Sequence, residues 1–299
     1  MKLRSFIYII LACVLWGTSG LFVNFLSPYG FDTFQMMIVR SGIAFVSMAI
    51  YALLRSRHSF KTDFRKLMLF ALIGIGIFGT GSCYFAAMQM TSVSTAVVLM
   101  YTAPIYVMVF SVLFMGEKLT PLKLVSVAFM LIGCCLVSGI VGGIKFDMLG
   151  IAVGALSGIA YAAYNIFTKL SMQKGNDPIC CTMYGFMFMS IVSLFFASPA
   201  DIVKNATKAP LVTVPLLLGL GVVTVVLPYF LYTLSLRDIP AGTASALGII
   251  EPMAATLFSV IILHEKLDIF SVCGIILILV SVFMLGKAEG KTKKDKEIN

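Results

Sequence analysis

The chain has 299 residues, of which 60% are hydrophobic and only 12% charged, with a mean hydropathy of +1.03. So little charge cannot cover the surface of a soluble domain of this length, and that class is excluded. The net charge of +9 raises nucleic-acid binding as an alternative, which the placement of the basic residues argues against.

Apolar runs of about 20 residues, each long enough for a bilayer core of roughly 30 Å, recur along the chain. In chain order they predict ten transmembrane helices, over residues 5–27, 33–54, 66–88, 93–115, 121–140, 148–170, 178–198, 210–235, 241–263 and 268–286. The first follows Lys2 and Arg4 without a convincing small-residue cleavage site, so it is expected to be retained. No connection is long enough to fold as a separate soluble domain. The terminal stretch KAEGKTKKDKEIN is expected as a solvated, disordered basic tail.

With the N-terminus placed in the cytoplasm, seventeen of the 22 Lys and Arg residues fall on the side of the termini. Lys145, Lys204, Lys208 and Lys266 fall on the other side, and Arg40 lies within a span. This positive-inside asymmetry predicts that both termini are cytoplasmic in a cell membrane, the basic residues meeting the bilayer and not a nucleic acid. Cys13, Cys83, Cys134, Cys135, Cys180, Cys181 and Cys273 lie in or at the edges of spans without a CxxC pair, and His58 and His264 are far apart. Apolar packing accounts for them, with no disulfide, metal site or cofactor expected.

The segment TAVVLMYTAPIYVMVFSVLFMGEKL (Thr95–Leu119) returns as TASALGIIEPMAATLFSVIILHEKL (Thr243–Leu267), ten of 25 pairs being identical at an offset of 148. Tyr84 matches Tyr232 at the same offset, and a looser register of 145 relates Phe22, Gly30 and Asp32 to Phe167, Gly175 and Asp177. Each copy then holds five helices, and an odd number inverts the second copy in the membrane. The fold expected is all-α, two inverted five-helix repeats at 1–140 and 147–287 with a cytoplasmic basic tail at 288–299. The shared Glu-Lys-Leu falls on opposite faces, so it serves as a turn device, with Thr120 and Asp268 as N-caps of the next helices and Pro121 at the first helical position. Inverted repeats of this kind point to a secondary transporter with its site near the midplane.

These features, with the early WGTSGLFVNF, the segment MGEKLTPLKLVSVAFMLIG and its partner IIEPMAATLFSVIILHEKLDIFSVCGIILILVSVFML, resemble the EamA family of the drug/metabolite transporter superfamily over essentially the whole chain. The resemblance implies secondary-active movement of a small organic metabolite, an amino acid or related solute, by alternating access, with export the expected direction. Efflux of cations or drugs is the alternative. Its motifs are specific for the family and nearly silent about the substrate. The first copy departs in having Ala103 where the second has Glu251.

Glu251 sits about ten residues into the ninth span, where an unpaired acid costs about 2.5–3.5 kcal/mol. It reads as a proton-coupling carboxylate or a contact for a substrate amine, against a structural hydrogen bond at the helix break. Pro104 and Pro252 remove backbone donors and are expected to free the carbonyls of Met100 and Gly248, bending both helices. Pro228 is expected as a local kink. Arg40 reads as a counter-charge for a carboxylate substrate or for Glu251, against a clasp onto helix-end carbonyls. Trp16, Tyr84, Tyr101, Tyr161, Tyr164, Asn165 and Tyr232 occupy interior depths where a packing helix would carry Leu or Ile. They read as cavity lining or as packing hydrogen bonds, with Tyr161, Tyr164 and Asn165 on one helix face. The run GIGIFGTG (Gly74–Gly81) has no following Lys-Ser/Thr, so it reads as close helix approach, not a phosphate loop.

A membrane enzyme would need a constellation of catalytic groups, and the intramembrane candidates amount to Glu251 and Arg40. A passive channel would not need the repeat. One chain supplies both halves, so a monomer suffices while an oligomer stays open. The partners expected are a small-molecule substrate, the bilayer and protons.

Overall fold

The structure of the protein, a computed structural model, describes residues 3–55, 60, 62–117, 119–139, 147–264 and 266–298. Lys2, Arg57, His58, Lys61, Lys118, Lys145 and Glu265, all used in the sequence reading, lie outside the described residues.

Among the described residues every regular element is helical. The first half comprises α1 (Leu3–Gly17), α2 (Ser19–Leu26), α3 (Thr33–Arg55), α4 (Phe64–Met90), α5 (Val93–Met100), α6 (Ala103–Met115) and α7 (Pro121–Val137). The second comprises α8 (Met148–Gln173), α9 (Pro178–Ser193), α10 (Pro199–Ala206), α11 (Pro210–Gly221), α12 (Leu227–Ser235), α13 (Ala241–Leu247), α14 (Ile250–Ile262) and α15 (Ile269–Ile298).

Among the described residues eight stretches are long and apolar enough to cross a membrane: Leu3–Tyr29, Thr33–Arg55, Phe64–Met90, Val93–Met115, Met148–Gln173, Pro210–Ser235, Ala241–Ile262 and Ile269–Ala288. The spans expected at 121–140 and 178–198 are shorter, α7 having 17 residues and α9 having 16. At 1.5 Å per residue they reach only about 25 Å, so flanking residues or a thinner bilayer must complete a crossing. α9 ends at Ser193, and Pro199 then starts α10, a short amphipathic helix between the spans expected at 178–198 and 210–235. The tail expected to be disordered continues α15 as helix to Ile298. Its Lys, Glu and Ala are good helix formers, and a preceding span removes the cost of nucleation.

Local chemistry sets the ends. Thr120 accepts the Lys123 N–H at 3.3 Å and Asp268 the Ser271 N–H at 2.6 Å, so the two expected N-caps both form. Before each Glu-Lys-Leu the chain turns left-handed, at Gly116 with φ 65° and at its repeat partner His264 with φ 57°. Glycine meets this conformation without a Cβ penalty and histidine does not.

Packing between the halves recurs in exchanged form. Helix α4 lies along α8 as α12 lies along α1, and α4 meets α9 as α11 meets α3. The glycine run makes these approaches close. A Cβ on Gly74 would collide with the Gly185 carbonyl, and one on Gly76 would stand 3.1 Å from the Tyr164 backbone nitrogen. At Gly185, the repeat position of Arg40, an added Cβ would stand 3.2 Å from Ile73 Cγ2 of α4, which leaves no room there for a long side chain.

Candidate functional site

Three of the membrane-crossing stretches are broken near their middles. Thr18 separates α1 from α2, and its hydroxyl donates to the Leu15 carbonyl at 2.7 Å. Thr102 follows α5, and its hydroxyl donates to the Leu99 carbonyl at 2.6 Å. The third break, at Gly248 and Ile249, falls one residue short of the repeat position of the second, which spans Tyr101 and Thr102. The two prolines therefore stand in the first turns of new helices, Pro104 in α6 and Pro252 in α14, where their missing N–H groups cost little. This corrects the expectation that they bend continuous helices. The Gly248 carbonyl is not left free either, because it accepts the Glu251 N–H at 2.9 Å. Pro228 follows a π-helical turn over Val222–Val226, so the Pro210–Ser235 stretch is wound wider there and not merely kinked.

These breaks surround one cavity of about 640 Å³, within the usual range for small-molecule sites. Of the residues singled out in the sequence, Trp16, Arg40, Tyr84, Tyr101, Tyr161, Tyr164, Glu251 and Pro252 line it. They come from α1, α3, α4, the α5–α6 break, α8 and α14, so only the folded bundle assembles them. Glu251 is half-buried in the first turn of α14, and the Tyr101 hydroxyl lies beside its carboxylate. Arg40 stands near enough to act on the charge of Glu251, yet no ion pair joins the two among the described residues. The Nε of Arg40 and the indole N–H of Trp16 are buried and make no hydrogen bond among the described residues. Among those residues Arg40 Nε thus makes no clasp onto a helix-end carbonyl.

Tyrosines and the single tryptophan form a continuous wall. Ring centroids are 6.4 Å apart for Tyr101 and Tyr161, 6.1 Å for Tyr161 and Tyr164, 5.5 Å for Tyr164 and Tyr229, and 5.0 Å for Tyr229 and Trp16. Tyr229 was missed in the sequence because its repeat partner is Gly81 and it directly follows the kink at Pro228. Its spacing of three from Tyr232 on one helix was the available signal. Thr256 and Ser259, which also line the cavity, were missed too. Their helical spacing from Pro252 places them on one face of α14.

Two residues of the same group do other work. Asn165 and Tyr232 are fully buried and do not line the cavity. The Asn165 amide donates to the Tyr161 carbonyl at 2.8 Å, and its oxygen accepts the Tyr232 hydroxyl, which joins α8 to α12. Asn165 shares its helix face with Tyr161 as expected, but α12 covers that level. Pro104 is also buried away from the cavity, in the first turn of α6.

The cavity reaches the surface at one end, where the exposed Val93 and Lys266 and the half-buried Ser94 and Ser138 rim it. The other end carries the termini, for a Cβ on Gly286 in α15 would stand 3.8 Å from the Phe6 ring in α1. There α13 closes the bundle with every residue from Ala241 to Leu247 buried. No group of His, Cys, Asp and Glu among the described residues has the arrangement to hold a metal ion.

Comparison with known proteins agrees with this architecture. A solved crystal structure superimposes with a TM-score of 0.78 at 16% identity, covering 95% of this chain and 96% of that one. Among curated relatives, an uncharacterized transporter of Archaeoglobus fulgidus is 29% identical over 92% of this chain and 94% of its own length. Another, of Clostridium kluyveri, is 23% identical over 99% and 97%. The uncharacterized transporter YwfM of Bacillus subtilis is 24% identical over 96% and 95%. The EamA-like transporter family matches twice, over residues 3–139 and 148–287. This multi-pass membrane protein, a transporter and not an enzyme, belongs to the EamA-like transporter family.

Proposed function

We propose that the protein is a secondary-active exporter of an amino acid or related small organic metabolite, working by alternating access. The observation that carries this is the cavity itself. Glu251, Arg40 and Trp16 line one space walled by tyrosines, and the Arg40 Nε and the Trp16 indole N–H beside it have no hydrogen-bond partner among the described residues. Buried donors left without partners each cost about 1–3 kcal/mol, a cost a bound ligand removes. A zwitterion supplies what is missing: a carboxylate for Arg40, an ammonium for Glu251, and an apolar side chain for the aromatic wall. Titration of Glu251 between the two faces couples protons to the movement.

The supporting architecture is a pair of inverted five-helix repeats, residues 1–140 and 147–287, with both termini cytoplasmic and residues 288–299 as a cytoplasmic tail. The exchanged helix pairings and the two family matches support it. α7 and α9 then complete ten crossings. Both halves lie in one chain, so a monomer suffices as the transporting unit.

The test is a thermal-shift screen of the detergent-solubilised protein against amino acids, nucleosides, sugars and organic cations, followed by counterflow in proteoliposomes. A ligand raises the melting temperature by mass action. Stabilisation by amino acids, with saturable counterflow of the same compounds, is the expected result. Stabilisation by apolar cations alone would replace the metabolite reading with cation or drug efflux, Glu251 being the cation's partner. Flux that neither saturates nor supports counterflow would make the protein a channel.

A further inference from the structure

At the termini-bearing end, charged and polar side chains from α1, α8 and the segment after α6 converge on one short segment, the turn between α12 and α13. Lys169, in α8, is only 7% exposed. Its Nζ donates to the carbonyls of Leu236 and Ile239, both at 2.7 Å. Glu117, just past α6, accepts the Ala241 N–H at 3.0 Å through Oε1. Ser5, in α1, donates to Asp238 at 2.6 Å. The segment is also tightly packed, since a Cβ on Gly242 would stand 2.8 Å from Met108 Cγ.

The repeat places an equivalent segment at the opposite end. Leu236, Ala241 and Gly242 correspond, 148 residues earlier, to Met88, Val93 and Ser94, and those three line the open part of the cavity. One device is therefore present twice, shut on one face and open on the other. The two copies also differ. At the register of 145 the partner of the buried Lys169 is Asn24, which is exposed.

A buried ammonium is costly to desolvate and is retained where it makes charge-assisted hydrogen bonds. Lys169 makes two such bonds, both to a turn that contributes no wall to the cavity. We infer that Leu236–Ala241 is the gate of the termini-bearing face, latched by Lys169 with Glu117 as a second clasp, and that releasing the latch opens this face while closing the other. The inference rests on the alternating-access reading. A latch that exists in one state only biases the equilibrium by its full strength.

Hydrogen–deuterium exchange of the full-length protein, followed in peptides covering 236–247 and 88–99, tests this without knowledge of the substrate. In Lys169→Met, exchange at 236–247 rises about tenfold and exchange at 88–99 falls. Lys169→Arg, which keeps donors, stays near the native pattern. If Lys169→Met does not yield folded protein, Glu117→Gln carries the test, with the same reciprocal change at about threefold. Unchanged exchange at 236–247 in a folded variant overturns the latch. A rise there with no fall at 88–99 makes Lys169 a local clamp and overturns the coupling of the two gates, and with it the alternating-access reading.

Discussion

Arg40 on α3 and Glu251 on α14 face the same cavity without forming an ion pair. Two opposite charges at this depth attract strongly, so holding them apart is a property of the scaffold and not of the side chains. Under the proposed function, the space between them is where a ligand with two charges would be neutralised.

Glu251→Gln keeps the size of the side chain and removes its titration. Accumulation driven by an imposed pH gradient in proteoliposomes is expected to fall at least tenfold, while exchange of substrate across the membrane persists. Undiminished gradient-driven accumulation would leave Glu251 a binding or structural group only.

Arg40→Gln is expected to weaken substrate binding with little effect on folding, because the Arg40 Nε makes no hydrogen bond that holds the bundle together. A charge-assisted hydrogen bond contributes about 1.5–3 kcal/mol, so KM for a carboxylate substrate should rise by roughly 10- to 150-fold. A fall in melting temperature with KM unchanged would show the opposite assignment.

Asn165→Leu leaves the Tyr232 hydroxyl without a partner at a fully buried position. The expected loss of stability is about 1–3 kcal/mol. Adding Tyr232→Phe removes the stranded hydroxyl, and the double variant should regain much of that loss. Additive losses in a denaturation cycle would mean that the two groups do not interact.

Gly74→Ala places a methyl against the Gly185 carbonyl. Forcing a group into such a contact typically costs about 1–3 kcal/mol, seen as a lower melting temperature. At the turn, Gly116→Ala must adopt φ 65° and is expected to cost about 1–2 kcal/mol. Alanine at Gly20, where an added Cβ meets nothing within 4 Å, is the control and should leave the melting temperature nearly unchanged.

The division between what could and could not be read in advance follows the length scale of each interaction. The N-caps Thr120 and Asp268 were legible because a cap needs only the following three residues. The helix breaks were placed to within a turn by Pro104 and Pro252, but their form was not, since Thr102 and Gly248 end the preceding helices before the prolines are reached. Tyr229 escaped notice while Asn165 and Tyr232 drew it, because polarity at depth marks a residue as special without saying whether a neighbouring helix covers it.

By itself the sequence determined the membrane class, the helical character, the repeat and the family, because each is written in composition, in local periodicity or in similarity along the chain. Only the tertiary structure decided which side chains share a cavity, which end of that cavity is shut, and that Arg40 and Glu251 line it without an ion pair between them. Those are distances between helices far apart in the chain. They follow from how the glycines of α4 let α8 and α9 approach, and from which helix happens to cover each face. No local pattern records that choice.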